Sequence, residues 1–354
     1  MKNIRDFNVK GKRVLVRCDF NVPVDEMGNI SDDFRIAKSM PTIEYLIKAG
    51  AKTILMSHLD PENQGVVSQK YTLDGVTRVL TQRLSRTVQK ASDCIGDAVA
   101  TQVNNLQEGE VLLLENLRFH KEETANDASF GKQLASLGDI YINDAFSVSH
   151  RAHASVVQIP KFLPNGSGLL LQKEIDNLDK VLKNPTKPLV AIIGGVKIET
   201  RIKLIERISK IADAVIVSGL IKKGLKEKKF WYKFFMPKNI LGPSKNLTAL
   251  DVDPKTLEIF RAVILSAKTI LWNGPFGKFE DEQYKNGTLS IAKAVIESGA
   301  FSVVGGGETI EFLDKEGIIQ DFGHVSTGGG AMLSYLAGEP LPGIKALQQY
   351  ATKS

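Results

Sequence analysis

Short apolar runs alternate with amphipathic segments along the first half of the chain. Four of these runs lack a regular alternation of polar residues, which is typical of strands buried on both faces of a parallel sheet. They occupy residues 14–16, 53–56, 111–114 and 140–142. Segments such as 36–49 and 73–84, which lie between them, carry apolar residues at helical spacing. The pattern predicts a domain built from βαβ units.

The same alternation begins again near residue 189. It predicts strands at 189–193, 214–217, 269–272 and 301–304, with helices near 202–210, 284–298 and 309–315. Between the two halves, Leu171, Ile175, Leu178 and Leu182 recur at helical spacing, and this pattern stops before Pro185. We therefore predict an α/β fold, with two Rossmann-like parallel-sheet domains joined by a long helix.

The predicted boundaries follow from these two halves. They are 1–165 for an N-terminal domain, 166–186 for the connecting helix and hinge, 187–340 for a C-terminal domain and 341–354 for a tail that returns to the N-terminal domain. The chain has 354 residues, of which 43% are hydrophobic and 24% charged. Such a chain is long enough for two domains of about 150 to 200 residues each.

Charge and cysteine content narrow the class of protein. The formal net charge of +6 favours anionic ligands, but it is small for a protein dedicated to nucleic acid. Cys18 and Cys94 are the only cysteines, and each lies in or beside an apolar stretch, so we expect neither a disulfide framework nor a thiolate metal site. No run reaches the roughly 18 apolar residues that a membrane span needs. We expect a cytoplasmic protein without nucleic-acid or membrane partners.

Polar side chains follow the strands of the first half. Because ligands bind at the carboxyl ends of parallel strands, these residues are candidates for a substrate site. They include Asp19, Asn21, His58, Arg118, His150 and Arg151, with Arg35 at the start of the first helix. Several arginines and histidines on one rim indicate a small polyanionic substrate, because guanidinium groups bind carboxylate and phosphate in bidentate fashion. The alternative is a solvated charged rim. His150 and His153 have no third ligand at metal-site spacing, so we do not expect zinc there.

Glycines follow the strands of the second half instead. Gly194-Gly195 precedes Lys197, and glycines recur at 274–277, 305–307 and 328–330. Glycine lets backbone amides approach a phosphate closely at the start of a helix. A single glycine triplet could equally be a flexible turn, but four such strand ends indicate a phosphate-rich ligand. Neither a Walker A loop nor a G-x-G-x-x-G fingerprint occurs, so the nucleotide is expected to bind by another scheme.

Five motifs in the same order resemble those of the phosphoglycerate kinase family. They are RCDFNVP at 17–23, ENLRFH at 115–120, NDAFSVSHRAHAS at 143–155, WNGPFGKFE at 272–280 and STGGGA at 326–331. The resemblance implies two Rossmann-like domains that face each other across a cleft, with the acid on the N-terminal domain and Mg-nucleotide on the C-terminal domain. It also implies reversible phosphoryl transfer between 1,3-bisphosphoglycerate and ADP, in glycolysis, with closure of the domains around the two ligands.

The resemblance also assigns roles to residues. It implies that the acid is held by Asp19, Asn21, Arg35, His58, Arg118, His150 and Arg151, with Arg35 also reaching the moving phosphoryl group. It implies that Lys197 and Arg201 face the nucleotide phosphates, Glu280 the ribose and Glu308 the Mg²⁺. The transition-state oxygens would lie against Gly328, Gly329 and Gly330. Further nucleotide contacts implied in this way are Gly194, Gly195, Gly219, Leu250, Asn273, Pro275, Gly306, Gly307 and Thr309.

The residues agree with this chemistry. In the direction that consumes ATP the nucleophile is a carboxylate, which is already ionised near neutral pH, so no general base is required. Catalysis must then come from positioning and from stabilising the charge on the transferring group. We expect small-molecule substrates, and nothing in the sequence requires more than a monomer.

Several positions depart from the family pattern. Residues Asp60-Pro61-Glu62 stand where Gly-Arg-Pro is usual, and Ser147-Val148 where Gly-Thr is usual. Val196 replaces a small residue, while Arg201 and Glu308 replace lysine and aspartate with the charge retained. At residues 60–62, the arginine of the usual Gly-Arg-Pro, which is expected to contact the substrate, is missing. These departures keep a second hypothesis open, that of a weak or inactive relative that binds phosphorylated ligands or a partner. A third, an NAD-dependent dehydrogenase, is disfavoured by the missing fingerprint.

The largest departure lies between residues 218 and 250, where the chain is markedly shorter than the family pattern. We predict a smaller second sheet and a more open, weaker adenine site. The lysine-rich run 222–229 is expected to be a solvated surface loop, with an RNA or membrane contact as the alternative. The aromatic residues between 230 and 235 are expected to pack over the exposed sheet edge.

Overall fold

The computed structural model describes residues 1–59, 65–227 and 239–350. The chain forms two compact units. Unit 1 is Met1–Lys173 together with a segment that begins at Pro340, and unit 2 is Glu174–Glu339. Each unit contains one parallel sheet of six strands within these described ranges. The predicted fold class, two parallel-sheet α/β domains, is confirmed.

The sheet of unit 1 is built around its first strand. Its strands are β1 (Arg13–Arg17), β2 (Lys52–Met56), β3 (Gln89–Lys90), β4 (Val111–Leu113), β5 (Ile140–Asn143) and β6 (Asn165–Ser167). Their order is β3-β4-β2-β1-β5-β6. Leu15 of β1 lies between Ile54 and Tyr141 in register, and all three side chains are fully buried. The chain therefore leaves β1 in opposite directions, toward β2 and toward β5, and the crevice between them is where such sheets bind ligands.

Helices cover both faces of this sheet. They are α1 (Phe34–Lys48), α2 (Asp74–Leu84), α3 (Asp97–Asn105), α4 (Lys121–Thr124) and α5 (Ala128–Ser136). The helix α1 buries Ile36, Ile43 and Leu46 against the strands. A single turn of π-helix, Ala154–Gln158, follows the end of β5.

The sheet of unit 2 repeats this plan. Its strands are β7 (Leu189–Ile193), β8 (Ala214–Val217), β9 (Ile240–Leu241), β10 (Thr269–Asn273), β11 (Phe301–Gly305) and β12 (His324–Val325). Their order is β12-β11-β10-β7-β8-β9. The strand β7 pairs with β10 on one side and β8 on the other, for example through Ala191 with Leu271 and Val215. The ends of β7 and β10 therefore border the corresponding crevice of this sheet.

A long helix connects the two units along the chain. This is α6 (Leu169–Leu182), and the division between the units falls inside it, between Lys173 and Glu174. The helices of unit 2 are α7 (Ile202–Ile208), α8 (Gly219–Glu227), α9 (Pro254–Leu265), α10 (Asn286–Glu297), α11 (Gly307–Lys315) and α12 (Gly330–Ala337). The last helix, α13 (Pro342–Gln349), belongs to unit 1. None of the described helices is long and apolar enough to span a membrane.

One expectation for the shortened segment is wrong, and another stays a prediction. The second sheet has as many strands as the first among the described residues, although β9, which pairs with β8, has only two residues; that it is smaller than the second sheet of the family pattern stays a prediction. The lysine-rich run is not a loop, since its residues up to Glu227 lie in α8. Ile221 and Leu225 are fully buried one turn apart, so they give α8 an apolar face. Residues 60–62 and the aromatic residues at 230–235 lie outside the described residues.

Candidate active site

The end of β1 in unit 1 supplies a buried arginine. The side chain of Arg17 is fully buried, and its Nη2 atom lies 3.2 Å from Nδ1 of His58, at the end of β2. Its Nε atom donates a hydrogen bond to Oγ of Ser155 at 2.9 Å. Ser155 in turn donates from Oγ to the fully buried carboxylate of Glu123, at 2.5 Å. The guanidinium of Arg17 is therefore held in a fixed orientation by groups from three segments of the chain.

The histidines beside Arg17 are uncharged at neutral pH. Burial lowers the pKa of His58 well below its usual range, and the guanidinium groups of Arg17 and Arg118 lower it further. Burial and the same two arginines lower the pKa of His153 to about 3. Burial, followed by the charge of Arg151, lowers the pKa of His150. The arginines thus supply the positive charge of this region, and the neutral imidazoles contribute hydrogen-bonding groups without charge.

A second arginine is anchored at the rim of the same region. Arg35, in the first turn of α1, donates from Nη1 to Oδ2 of Asp19 at 2.6 Å. The carboxylate of Asp19 also accepts hydrogen bonds from the backbone N–H of Asn21, at 3.1 Å, and from the hydroxyl of Ser147. The side chain of Asp19 is 5% exposed and that of Arg35 is 37% exposed. Asp19 therefore holds a guanidinium group that keeps part of its surface open to a ligand.

Most of the predicted acid-site residues are brought to this edge of the sheet. Asp19, Asn21, His58 and Arg118 follow the ends of β1, β2 and β4, and the charges of Arg118 and Arg151 both act on His58 and His153. Sequence reasoning missed Glu123 and Ser155. Glu123 lies in the short helix α4, in the charged run Lys-Glu-Glu, and nothing in that run distinguishes the buried carboxylate from its exposed neighbours.

Unit 2 contains a pocket at the ends of its central strands. Its volume is about 310 Å³. It is lined by Val196, Lys197, Arg201, Asn273, Gly274, Gly306, Gly307, Glu308, Thr309, Gly329, Gly330 and Leu333. These residues come from the segments that follow β7, β10, β11 and β12, so all four glycine-rich strand ends reach one place. Seven of the residues proposed from the sequence to contact the nucleotide, the Mg²⁺ or the transition state lie in this lining in addition to Lys197 and Arg201.

Close backbone contact explains two of the glycines. A Cβ atom on Gly194 would lie 2.1 Å from the carbonyl oxygen of Pro275. The backbone N–H of Gly194 donates to the carbonyl of Asn273 at 2.8 Å, and Gly274 has a φ of +93°. Trp272, fully buried in β10, donates from Nε1 to the carbonyl of Gly274 at 3.0 Å. The loops after β7 and β10 therefore pack against each other in a way that larger residues would prevent.

Two helices begin at this pocket. Gly306 and Gly329, with φ values of +103° and +48°, directly precede α11 and α12. The first turns of such helices carry unpaired N–H groups and a positive partial charge, which favour phosphate. Lys197 and Arg201 add two cationic side chains to the same lining. The pocket has the chemistry of a polyphosphate site.

Arg201 is the more constrained of these two cations. Its Nη1 atom donates to the carbonyl of Lys197 at 3.0 Å and to Oγ1 of Thr200 at 3.2 Å. Its Nε atom is buried and has no hydrogen-bond acceptor among the described residues. Burial lowers the pKa of Arg201, and the carboxylate of Glu308 acts in the opposite direction. A phosphate oxygen would supply the acceptor and the negative charge that the guanidinium lacks.

A buried glutamate supports the glycine triplet. The carboxylate of Glu174, fully buried in α6, accepts hydrogen bonds from the backbone N–H of Thr327 at 2.6 Å and from its hydroxyl at 2.9 Å. Its other oxygen lies 2.9 Å from Nε2 of His324. Sequence reasoning missed Glu174. A signal was available, since Glu174 lies three residues after Leu171 and one before Ile175, on the apolar face of the helix.

The remaining predicted nucleotide contacts lie outside the first pocket. Gly219 lines a second pocket, of about 140 Å³, in the same unit. The other residues of its lining are Pro243, Lys245, Asn246, Ala249, Asp251, Val252, Asp253 and Phe276. Leu250 is 50% exposed beside this lining, and Glu280 is exposed and lines neither pocket. Gly274 lines the first pocket and Phe276 the second, so one loop separates the two.

One group of three potential metal ligands occurs among the described residues. It consists of Asp93, Cys94 and His120, whose ligand atoms lie within 4.8 Å of one another. Nε2 of His120 is 2.7 Å from the carboxylate of Asp93, and burial raises the pKa of the Cys94 thiol well above its usual value. The hydrogen bond explains why Asp93 and His120 lie close together, and the Cys94 thiol is neutral, so the group needs no metal ion to explain it. Glu308 is not part of this group.

Comparison with known proteins decides the family. The model of the family described as phosphoglycerate kinase matches residues 4–230 and 233–339. The chain belongs to the phosphoglycerate kinase family. The interruption of the match at 231–232 lies within the segment that the sequence predicts to be shortened.

Individual phosphoglycerate kinases match nearly the whole chain. The enzyme of Aquifex aeolicus (strain VF5) is 42% identical over 386 residues, covering 96% of each chain. That of Dictyoglomus turgidum (strain DSM 6724 / Z-1310) is 40% identical over 390 residues, covering 98% of each. The structure of phosphoglycerate kinase from Coxiella burnetii matches with a TM-score of 0.86 and 34% identity, over 99% of this chain and 100% of that chain.

These matches confirm the predicted family and function class. Phosphoglycerate kinases are phosphotransferases with a carboxyl group as acceptor, so the enzyme class predicted from the sequence is confirmed as well. The alignments are longer than the 354 residues of this chain. The chain therefore lacks positions that these phosphoglycerate kinases have.

Proposed function

We propose that this chain transfers a phosphoryl group reversibly between 1,3-bisphosphoglycerate and ADP, giving 3-phosphoglycerate and ATP, as a step of glycolysis. The observation that carries the proposal is the pocket of unit 2, in which two cationic side chains and two helix N-termini converge. Such a pocket suits the phosphates of a nucleotide. Membership of the phosphoglycerate kinase family indicates that a carboxyl group accepts the phosphoryl group.

The buried arginines of unit 1 are proposed to bind the acid. Arg17 and Arg118 provide positive charge in a site from which water is largely excluded, and they need no protonated histidine beside them. Arg35 is held by Asp19 and is proposed to contact both the carboxylate and the transferring group. Asn21, His58, His150 and Arg151 are proposed to contribute further polar contacts. The fixed orientation of Arg17 and Arg35 reduces the reorganisation that charge stabilisation otherwise costs.

Lys197, Arg201 and the glycines of the first pocket are proposed to hold the nucleotide phosphates. As negative charge develops on the transferring group, the amides of Gly328, Gly329 and Gly330 are proposed to stabilise its oxygens, and Glu174 keeps the preceding residue in place. Gly219 and Leu250 are proposed to contact the base, and Glu280 the ribose. Gly194, Gly195, Asn273, Pro275, Gly306, Gly307 and Thr309 complete the proposed nucleotide contacts.

The site also fits Mg²⁺ with a nucleotide. Mg²⁺ binds through one or two carboxylates together with phosphates and retained waters, rather than in an all-protein cage. Glu308, an exposed carboxylate in the first turn of α11, lies in the lining of the same pocket as Lys197 and Arg201 and is proposed as that ligand. When bound, the ion neutralises charge on the phosphates.

A coupled assay of ATP-dependent phosphorylation of 3-phosphoglycerate tests the proposal. We expect turnover that requires Mg²⁺ and saturates in both substrates. An absence of turnover above background with millimolar substrates and Mg²⁺ would support the alternative of an inactive relative that binds phosphorylated ligands. Isothermal calorimetry with ATP and with 3-phosphoglycerate then shows whether binding survives without catalysis.

A monomeric state and a cytoplasmic location are further proposals. Cys18 and Cys94 are both buried and unpaired in disulfides, which agrees with a reducing compartment. Size-exclusion chromatography with light scattering is expected to give the mass of one chain, 38.8 kDa. A mass of twice this value at micromolar concentration would contradict the monomer.

A further inference from the structure

The second pocket of unit 2 has one wall without regular secondary structure. This wall is segment 242–249, which follows the two-residue strand β9 and contributes Pro243, Lys245, Asn246 and Ala249 to the lining. Within the segment, a turn at Asn246, with a φ of +48°, is closed by a hydrogen bond from the backbone N–H of Ala249 to the carbonyl of Asn246 at 3.0 Å. A two-residue strand and one turn are not enough to hold segment 242–249 in a fixed position beside the pocket.

A lysine from the neighbouring helix contacts this segment. Nζ of Lys222, in α8, donates to the carbonyl oxygen of Gly242 at 2.9 Å and to that of Pro243 at 2.7 Å. These two hydrogen bonds connect segment 242–249 to α8. A single ammonium group thus satisfies two consecutive carbonyls at the point where the chain leaves β9.

The stem of the same lysine packs tightly on the segment. A Cβ atom on Gly242 would lie 2.9 Å from Cδ of Lys222 and 3.0 Å from Cγ2 of Val217. At the other end of the wall, a Cβ atom on Gly219 would lie 2.5 Å from the carbonyl oxygen of Leu247. The segment is therefore pressed against α8 at two points, and Lys222 supplies the polar contact at the first.

We propose that Lys222 is a positioning residue for the nucleotide, because it fixes the wall of the second pocket against α8. The inference rests on the proposed function. The two pockets are separated by the loop that holds Gly274 and Phe276, and two residues of extended chain span only about 7 Å. A nucleotide whose phosphates occupy the first pocket can therefore extend its base into the second. Lys222 compensates in this way for the shortened segment between residues 218 and 250.

Substitution of Lys222 by methionine tests the proposal. Methionine retains the stem but leaves the carbonyls of Gly242 and Pro243 without their donor. We expect the KM for ATP to rise about tenfold, while kcat and the KM for 3-phosphoglycerate stay within about twofold of wild type. Lys222→Arg should recover most of the affinity for ATP. The matched control is Lys223→Met, because Lys223 is exposed and pairs only loosely with Glu227, at 3.7 Å.

Several outcomes would overturn the proposal. An unchanged KM for ATP in Lys222→Met would do so. A fall in kcat together with a rise in the KM for both substrates would also do so, because it indicates general damage to the fold. If Lys222→Met does not fold, Gly242→Ala displaces the lysine stem instead, and an unchanged KM for ATP in that variant is equally decisive. Inactivity of the wild-type chain would contradict the proposed function, whereas an active wild type with an unmoved KM contradicts only the role of Lys222.

Discussion

The carboxylate of Glu174 is expected to control the position of the glycine triplet, and Glu174→Gln isolates that effect. Glutamine has the same shape, and its oxygen can still accept the two hydrogen bonds from Thr327. Its amide group, however, replaces the oxygen that lies 2.9 Å from Nε2 of His324. The substitution therefore takes the carboxylate charge away from all three contacts, and it replaces the acceptor that faces His324 by a donor, without opening a cavity.

The size of the effect follows from the burial of the group. A hydrogen bond to a charged group contributes about 1.5 to 3 kcal/mol, and Glu174 is fully buried, so water cannot replace the lost partner. If the triplet stabilises the transferring phosphoryl group, the loss appears in the transition state. We expect kcat to fall about 10- to 100-fold, with a smaller change in the KM for ATP.

Steady-state kinetics and thermal unfolding together test this reasoning. Asp176→Asn is the matched control, because Asp176 is an exposed carboxylate on the same helix, and we expect its kcat to stay close to that of wild type. A kcat for Glu174→Gln within about twofold of wild type, in a variant with a lowered melting temperature, would refute the positioning role. In that case Glu174 would serve the stability of unit 2 alone.

Two further predictions concern unit 1. Arg35→Ala is expected to lower kcat about 10²- to 10³-fold and to leave ATP affinity, measured by calorimetry, unchanged; an equal loss of both would show that its assigned role is wrong. Burial raises the pKa of Asp144 to about 7, so between about pH 4 and pH 7 the unfolded chain releases a proton that the folded chain retains, and stability falls as pH rises across this window. Asp144→Asn, which keeps the acceptor for Leu170 and Leu171, should remove that slope in urea unfolding at a series of pH values and stabilise the protein at pH 8 relative to wild type; parallel pH profiles for the two proteins would contradict the assignment.

Long central strands could be predicted from the sequence, whereas short edge strands could not. The strands β7 and β8 were predicted at their observed bounds, because each is a continuous apolar run buried on both faces. The strands β3, β9 and β12 have only two residues each, which is too few to produce a periodic pattern. Their existence depends on pairing with a neighbouring strand, which is a property of the folded sheet.

The charged helix α8 shows why composition misled the prediction for the shortened segment. Lysines dominate its sequence, but Ile221 and Leu225 lie one turn apart and are fully buried. Lys222 is partly exposed, but its ammonium group donates hydrogen bonds to two backbone carbonyls. The sequence alone does not distinguish a lysine that donates to backbone carbonyls from a lysine that faces water. Only the tertiary contacts distinguish them.

The candidate site was predictable to the extent that its residues follow strands. The glycines and cations of the first pocket follow β7, β10, β11 and β12, and the rule for parallel sheets brings such positions together. The groups that orient them were not predictable in this way. Glu123, Ser155 and Glu174 act through contacts with segments distant in sequence, such as those between Glu174 and Thr327.

The return of the chain to unit 1 after Pro340 has a consequence for its synthesis. The backbone N–H of Gly343, in α13, donates to the carbonyl of Ser149 at 2.9 Å, and the side-chain amide of Asn165 donates to the carbonyl of Tyr350 at 3.1 Å. Unit 1 is begun first by the ribosome but is completed last, after every residue of unit 2 has been made. During translation, unit 1 therefore cannot add α13 to its structure until the segment that follows unit 2 has been made.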